Sequence, residues 1–161
     1  MAAQLPPELL AFMARGVSVI VASRDAKLRP SIMRAVGSRV EAQGQDITVF
    51  LSRPQSRQLL QDLAATGQVA VVFSEPSTHR SVQLKASRVE LRPATADDAP
   101  ALARYLASME TELQQIGYFA GLAGALLAHK LEEVIAVRFT PEQAYEQTPG
   151  PRAGTALGSR T

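Results

Sequence analysis

The sequence predicts a mainly β, α+β protein in which an antiparallel barrel is flanked by helices. Short apolar segments rich in β-branched residues follow one another across tight turns, and helical patterns occur between only some of them. Strands that follow one another in this way favour an antiparallel barrel over a doubly wound parallel sheet. No repeat or long linker divides the 161 residues, of which 46% are apolar and 20% charged. Such a chain fits one globular domain.

The first elements are a short helix and a hairpin. Pro6-Pro7 at the start and Gly16 just past the end predict a helix over 8–15. An unbroken apolar run predicts a buried strand over 17–23. Residues 30–40 alternate, and we expect them to pair with that strand before a turn at 43–46.

A strand and a helix follow, and then a second hairpin. Ile47 to Leu51 is a short apolar strand that continues into a helix with apolar residues at 59, 60, 63 and 64, closed by Gly67. Residues 69–73 form the next strand. Residues 80–91 alternate over one long strand, and the turn residues between these two segments predict a hairpin.

The last elements are helices and one strand. Thr95 and the two aspartates after it predict a helix start. An apolar stripe then runs along the helix to Gly117, and we interpret it as core, with a dimer interface as the alternative. Its members are Leu102, Leu106, Met109, Leu113 and Ile116. A small-residue segment follows over 118–130, where we expect the glycines to allow close packing, and then a strand over 133–140.

We divide the chain into a single domain over 1–146 and a tail over 147–161. The tail contains prolines and glycines and little apolar bulk, so we expect it to be extended or partly disordered. The absence of cysteine excludes disulfides, thiolate nucleophiles and cysteine-ligated metals, and fits a reducing cytoplasm. The amino terminus shows no secretory pattern, and the apolar stretches are too short and polar to span a bilayer, so we expect a soluble, cytoplasmic protein.

Charge is distributed unevenly along the chain. Residues 1–92 hold 12 Lys and Arg against 7 Asp and Glu, whereas residues 93–161 hold 5 against 8. An anionic ligand is therefore expected in the first part. Nucleic acid is the weaker interpretation, because the chain has no Trp and no polybasic or aromatic-interleaved run.

The segment from Ser52 to Arg57 is the most informative pattern. A first helical turn favours Asp or Glu, yet this one holds Arg53 and Arg57, four residues apart. The two arginines are repelled by the positive end of the helix dipole and by each other, and a bound anion would make both interactions favourable. Hydroxyls, guanidinium groups and free backbone N–H groups together make a phosphate site. The alternative is that Ser52 only caps the helix and the arginines extend into solvent.

Other strand residues are candidates to complete this site. Arg34 and Arg80 lie in the basic part, although each is equally explained as an exposed strand arginine. Gln83 carries an amide suited to the edge of a heterocycle. His79 and His129 are too far apart in sequence for a metal motif, and no G-x-S-x-G elbow is present.

The order of these segments resembles the pyridoxamine 5′-phosphate oxidase-related FMN-binding split-barrel family. The resemblance covers most of the chain and rests on the strand 47–51, the turn with Ser56 and Arg57, the helix ending near Gly67, the strand 69–73 and the run 78–85. It implies a six-stranded antiparallel split barrel that dimerises, with FMN held between the subunits.

The resemblance also implies the cofactor-binding residues and a reaction class. FMN would accept or donate hydride for a small-molecule redox substrate. From the residues themselves we expect no metal, no nucleic acid and no membrane. The family's terminal Trp- and Arg-containing substrate segment has no counterpart here, so the resemblance concerns the cofactor rather than a vitamin B6 substrate. Haem or a deazaflavin on the same fold, without catalysis, is the alternative. The implied cofactor-binding residues are Arg34, Ala35, Val36, Leu51, Ser52, Ser56, Arg57, Arg80 and Gln83.

Overall fold

The computed structural model describes residues 2–41 and 45–160 and contains four α-helices, two 3-10 helices of three residues each and twelve strands in those ranges. Residues 43 and 44 of the predicted turn at 43–46 lie outside them. The helices are α1 Pro7–Ala14, α2 Arg57–Thr66, α3 Ala99–Gln115 and α4 Leu122–Leu126. The strands are β1 Ala3–Gln4, β2 Ser18–Arg24, β3 Pro30–Arg34, β4 Gly37–Val40, β5 Ile47–Ser52, β6 Val69–Ser74, β7 Ser81–Ala86, β8 Glu90–Pro93, β9 Val134–Phe139, β10 Gln143–Glu146, β11 Ala156–Leu157 and β12 Ser159–Arg160.

Two antiparallel sheets enclose the core. One has six strands in the order β11-β10-β7-β6-β2-β3, and the other has four in the order β4-β5-β9-β8. Strand β5 is buried along its whole length, whereas β2, β6 and β7 alternate between buried and half-buried or exposed positions. The buried side chains of the six-stranded sheet point to the core. Its opposite face, which we call the outer face, carries the half-buried and exposed side chains.

The strand predicted over 30–40 is divided between the sheets. Strand β3 pairs with β2 in the six-stranded sheet, and β4 pairs with β5 in the other. The change of sheet occurs at Ala35 and Val36. The Ala35 N–H donates to the Val19 carbonyl over 3.0 Å, and the Val36 N–H donates to the Phe50 carbonyl over 2.8 Å. One continuous strand was therefore the wrong prediction, because local alternation does not reveal which partner each half pairs with.

The strand predicted over 80–91 is divided in the same way. Strand β7 lies between β6 and β10, whereas β8 pairs with β9. The two predicted hairpins, β2 with β3 and β6 with β7, are confirmed. The chain also adds β10 and β11 to the edge of the six-stranded sheet, and residues 147–160 comprise turns and the short paired strands β11 and β12.

The predicted helices are present, but the buried face of α3 differs from the predicted stripe. Its buried residues include Tyr105, which the apolar stripe did not contain. Of the stripe, Leu106 is only half-buried and Ile116 is 43% exposed. Ile116 lies just past the end of the helix, so helical periodicity no longer places it on the core side. No helix in the described chain is long and apolar enough to cross a bilayer.

The glycines after α3 were expected to pack closely, and this prediction is wrong. A Cβ at Gly117, Gly121 or Gly124 would meet no atom within 4 Å. Gly117 and Gly121 have φ near +90°, a backbone conformation that side chains disfavour. These two glycines therefore allow the chain to turn after α3.

A group of charged residues attaches the start of α3 to the four-stranded sheet. Asp98, 1% exposed, accepts both Nη groups of Arg92 at 2.7 and 2.9 Å and Nη1 of Arg39 at 3.1 Å. It also accepts the Thr95 N–H over 2.9 Å. We call Asp98, Arg39, Arg92 and Thr95 the Asp98 cluster. The Arg92 guanidinium lowers the pKa of the Asp98 carboxyl far below its usual range, despite the opposing effect of burial.

Candidate functional site

The turn between β5 and α2 is held by backbone hydrogen bonds. The Arg53 N–H donates over 2.8 Å to the carbonyl of Glu133, the residue before β9. The Gln55 N–H donates to the Ser52 carbonyl over 3.2 Å, and the Ser56 N–H donates to the Arg53 carbonyl over 3.3 Å. Because these bonds fix the turn to a buried strand, Ser56 has a defined position at the start of α2.

Ser56 has a buried hydroxyl without a hydrogen-bond partner. It is 2% exposed, and its Oγ contacts no donor or acceptor within the described chain. A serine before a helix normally accepts an N–H of the first turn, but this one does not. A buried unpaired hydroxyl costs roughly 1–3 kcal/mol. A ligand with oxygen acceptors at this point would remove that cost.

Positive charge surrounds the same point. Arg53 and Arg57 are exposed, and the ion pairs seen among the described residues involve neither of them. The first turn of α2 contains no acidic residue. The helix dipole and its free N–H groups add further positive potential. The start of α2 therefore has the parts of an anion-binding site and no anionic group of its own in the described chain.

The segment of Arg34, Ala35 and Val36 lies where the two sheets meet. Val36 bonds to Phe50, the residue before Leu51, so this segment lies against the strand that leads to Ser52. Strand β3 also contacts α2, since Ser31 Oγ donates to Asp62 Oδ2 over 2.6 Å. The fold thus brings two segments of the predicted site to one junction.

The side chains of the junction differ in what they can offer. Ala35, Val36 and Leu51 are at most 3% exposed, so they can reach a ligand only through the backbone. Ser52 is also buried. Arg34 is exposed on the outer face, and its Nη1 donates to Ser18 Oγ over 2.6 Å.

Gln83 shares the outer face with Arg34 but does not reach it. The strand registers place Tyr145, Gln83, Val72, Ile20 and Arg34 in one row across the six-stranded sheet. Three strand spacings, roughly 14 Å, separate Gln83 from Arg34. Within one chain these two residues therefore belong to the same surface and not to the same contact.

Arg80 lies on another part of the molecule. Its guanidinium stacks over the Phe12 ring, 4.7 Å from the centroid, beside α1. It lines a crevice with Pro6, Glu8 and Glu146, to which α2 contributes no residue. The structure thus places Arg80 apart from the start of α2.

Tyr105 is a polar residue of the junction that the sequence did not single out. It is 2% exposed, and its hydroxyl lies near the Val19 backbone without a hydrogen bond of normal geometry in the described chain. Burial raises the pKa of this hydroxyl, and the positive charge of Arg34 opposes that shift. Its position three residues after Leu102 on the buried stripe was the only signal for it. No three His, Asp or Glu side chains within the described ranges are grouped as a metal site requires.

Comparison with known proteins identifies the fold. No family model and no curated protein matches the sequence. Among solved structures, an F420 reductase superposes with a TM-score of 0.59 at 12% identity, covering 87% of this chain and 98% of its own. A proposed pyridoxamine 5′-phosphate oxidase from Lactobacillus delbrueckii gives 0.55 at 12%, covering 90% and 99%. The chain has the pyridoxamine 5′-phosphate oxidase-like split-barrel fold.

This split-barrel fold confirms the predicted antiparallel barrel with flanking helices. A third similar structure is HutZ, a haem storage protein from Vibrio cholerae, with a TM-score of 0.51 at 16% identity, covering 89% of this chain and 94% of its own. Proteins of this fold therefore include members named for different ligands. At these identities the likeness establishes the fold, and the ligand has to be argued from the residues.

Proposed function

We propose that this protein is an FMN-binding flavoprotein oxidoreductase. The observation that carries the proposal is the buried, unpaired hydroxyl of Ser56 at the start of α2, beside Arg53 and Arg57. The phosphate of FMN supplies the oxygen acceptors and the negative charge that this point lacks. The split-barrel fold, shared with proteins named as a reductase and a proposed oxidase, supports a redox role.

The proposed roles of the residues follow from what each can offer. Ser56 Oγ donates to the phosphate, Arg57 and Arg53 neutralise it, and the first N–H groups of α2 complete its contacts. The buried segments at the junction contribute backbone groups. When bound, FMN supplies an isoalloxazine ring able to accept or donate hydride, and the protein supplies binding and orientation.

We propose a homodimer with the cofactor between the subunits. On the outer face, Ile32 is 64% exposed, and Ile20 and Val72 are only half-buried. A second copy packed on this face would cover these apolar side chains. It would also bring Gln83 of one chain towards the junction of the other chain. Gln83 cannot reach the junction of its own chain, because roughly 14 Å separates it from Arg34. The Gln83 amide would then hydrogen-bond the flavin ring.

A second candidate is haem binding without catalysis, favoured by the geometry of His129. Its Nδ1 lies 2.7 Å from the Leu127 carbonyl. If Nδ1 carries the proton, Nε2 has a free lone pair and can act as an axial ligand. The likeness to a haem storage protein supports this candidate. Absorbance separates the two, since a flavin has two visible bands and haem a Soret band.

FMN titration of the purified protein and two variants tests the first proposal. Arg57→Ala should weaken FMN binding by about 10- to 100-fold, the effect of losing a charge-assisted hydrogen bond. Ser56→Ala should weaken it by up to about tenfold while raising the free energy of unfolding of the FMN-free protein by up to about 1–3 kcal/mol, because the substitution removes a buried hydroxyl that has no partner in the free protein. Arg29→Ala is the control, since Arg29 is exposed on the β2–β3 turn and pairs with Asp25 at 3.0 Å.

Equal FMN affinity in Arg57→Ala and the unchanged protein would contradict the site at α2.

The dimer is tested separately by sedimentation of Val72→Asp, which places a charge at the centre of the outer face. This variant should be monomeric and bind FMN weakly. A monomeric Val72→Asp with full FMN affinity would place the cofactor within one chain.

A further inference from the structure

The outer face of the six-stranded sheet contains a concavity of about 340 Å³ beside the row that holds Gln83. In the adjacent row, the strand registers align Ile32, Ala22, Ala70, Lys85 and Gln143. Ala22 and Ala70 lie at the centre of the sheet, where the row of Gln83 has the larger Ile20 and Val72. The two small side chains therefore leave a depression with a flat apolar floor.

Positive charge borders this concavity. Lys85 and Arg24 both line it, and neither forms an ion pair among the described residues. The carboxylate of Glu142 also lines it, but accepts the N–H of Ser87 over 3.1 Å and its hydroxyl over 2.7 Å. Lys85 lies 5.2 Å from the centroid of the Tyr145 ring. A flat floor between two available cations suits a planar anion.

We propose that this concavity is the substrate site and takes a small planar organic carboxylate. Lys85 and Arg24 would bind the carboxylate, and Ala22 and Ala70 would contact the apolar body. The inference rests on the proposed function, because Gln83 and Lys85 project from the same face of β7, roughly 7 Å apart. The subunit whose Gln83 hydrogen-bonds the flavin therefore also places Lys85 near it. A carboxylate bound to Lys85 would lie beside the flavin ring.

Benzoate is a suitable probe, with neutral benzamide as its uncharged match. Titration into the FMN-free protein, followed by NMR, should give binding at least tenfold tighter for benzoate than for benzamide. Lys85→Gln should lose at least tenfold in benzoate affinity, and Arg24→Gln a smaller factor. Arg29→Gln, on the same β2–β3 hairpin but outside the concavity, should bind as the unchanged protein does.

Ala70→Leu tests the floor without altering charge. It should abolish benzoate binding, and its thermal unfolding, compared with that of the unchanged protein, shows whether the fold is retained. If Ala70→Leu does not fold, Lys85→Gln decides the matter, since Lys85 is exposed. Equal benzoate affinity in Lys85→Gln and the unchanged protein would overturn the proposal.

A second titration, into FMN-loaded protein, tests the position relative to the flavin. Benzoate should shift the flavin absorbance in the unchanged protein and not in Lys85→Gln. If the protein does not bind FMN, the proposed function is wrong. The benzoate titration of the FMN-free protein then tests the concavity by itself. Benzoate binding without a flavin shift in the loaded protein would refute the role as a substrate site.

Discussion

Helices α3 and α2 begin in opposite ways. At the start of α3, Asp98 is buried and all its strong acceptor positions are used by Arg92, Arg39 and the Thr95 N–H. At the start of α2, Ser56 is equally buried, yet its hydroxyl has no partner in the described chain, and the charged residues of the turn and the first helical position are both arginines, Arg53 and Arg57. A completed polar group stabilises a fold, whereas an incomplete one costs stability and suits a ligand. The difference supports a structural role for the start of α3 and the proposed binding role for the start of α2.

Of the substitutions that test this comparison, we expect the one at Asp98 to change the free energy of unfolding most. Asp98→Asn leaves Arg39 and Arg92 without their shared carboxylate and should lower the free energy of unfolding by about 3 kcal/mol. We take the lower end of the range for buried pairs, because the Arg92 side chain is 46% exposed and regains water. Urea unfolding measures the change. Asp97→Asn, at the exposed neighbouring carboxylate, should change stability by less than about 0.5 kcal/mol, and equal losses in both variants would remove the special role of Asp98.

The same cluster predicts a pH dependence of stability. Because the pKa of Asp98 is lowered in the folded state, its contribution is complete above the unfolded value of about 3.9 and is lost as pH falls through the folded value. The stability difference between the unchanged protein and Asp98→Asn should therefore be constant near neutral pH and shrink below about pH 4. Urea midpoints of both proteins at pH 7, 4, 3 and 2 measure it. A difference that stays constant to pH 2 would rule out this linkage.

The smallest expected change in the free energy of unfolding is at Arg57, at the start of α2. Arg57→Glu places a favourable charge at the start of α2 and should raise the free energy of unfolding by about 0.3–1 kcal/mol. It should also abolish FMN binding, because the charge that neutralises the phosphate is reversed. Urea unfolding without FMN and titration with FMN measure the two changes. A destabilised Arg57→Glu would mean that Arg57 supports the fold itself.

Sequence reasoning found the start of α2 but not the Asp98 cluster, and distance along the chain explains why. Ser56 and Arg57 are unusual against their own helix, which is a local property. Asp98 looked like an ordinary helix-start residue, and its partner Arg39 lies 59 positions away. Tyr105 looked like one more residue of a helix, and only its burial, close enough to Arg34 for that charge to act on its hydroxyl, made it part of the junction.

The amino-acid sequence alone determined the local features: most of the strands and helices in their order, the two hairpins, and the unusual charge at the start of α2. These depend on neighbouring residues, through side-chain periodicity, turn residues and the helix dipole. The tertiary structure alone decided where the chain changes sheet at Ala35 and after Ala86, and which side chains share the outer face. Those features depend on hydrogen bonds and packing between strands far apart in sequence, and alternation along one strand is the same whichever partner it finds.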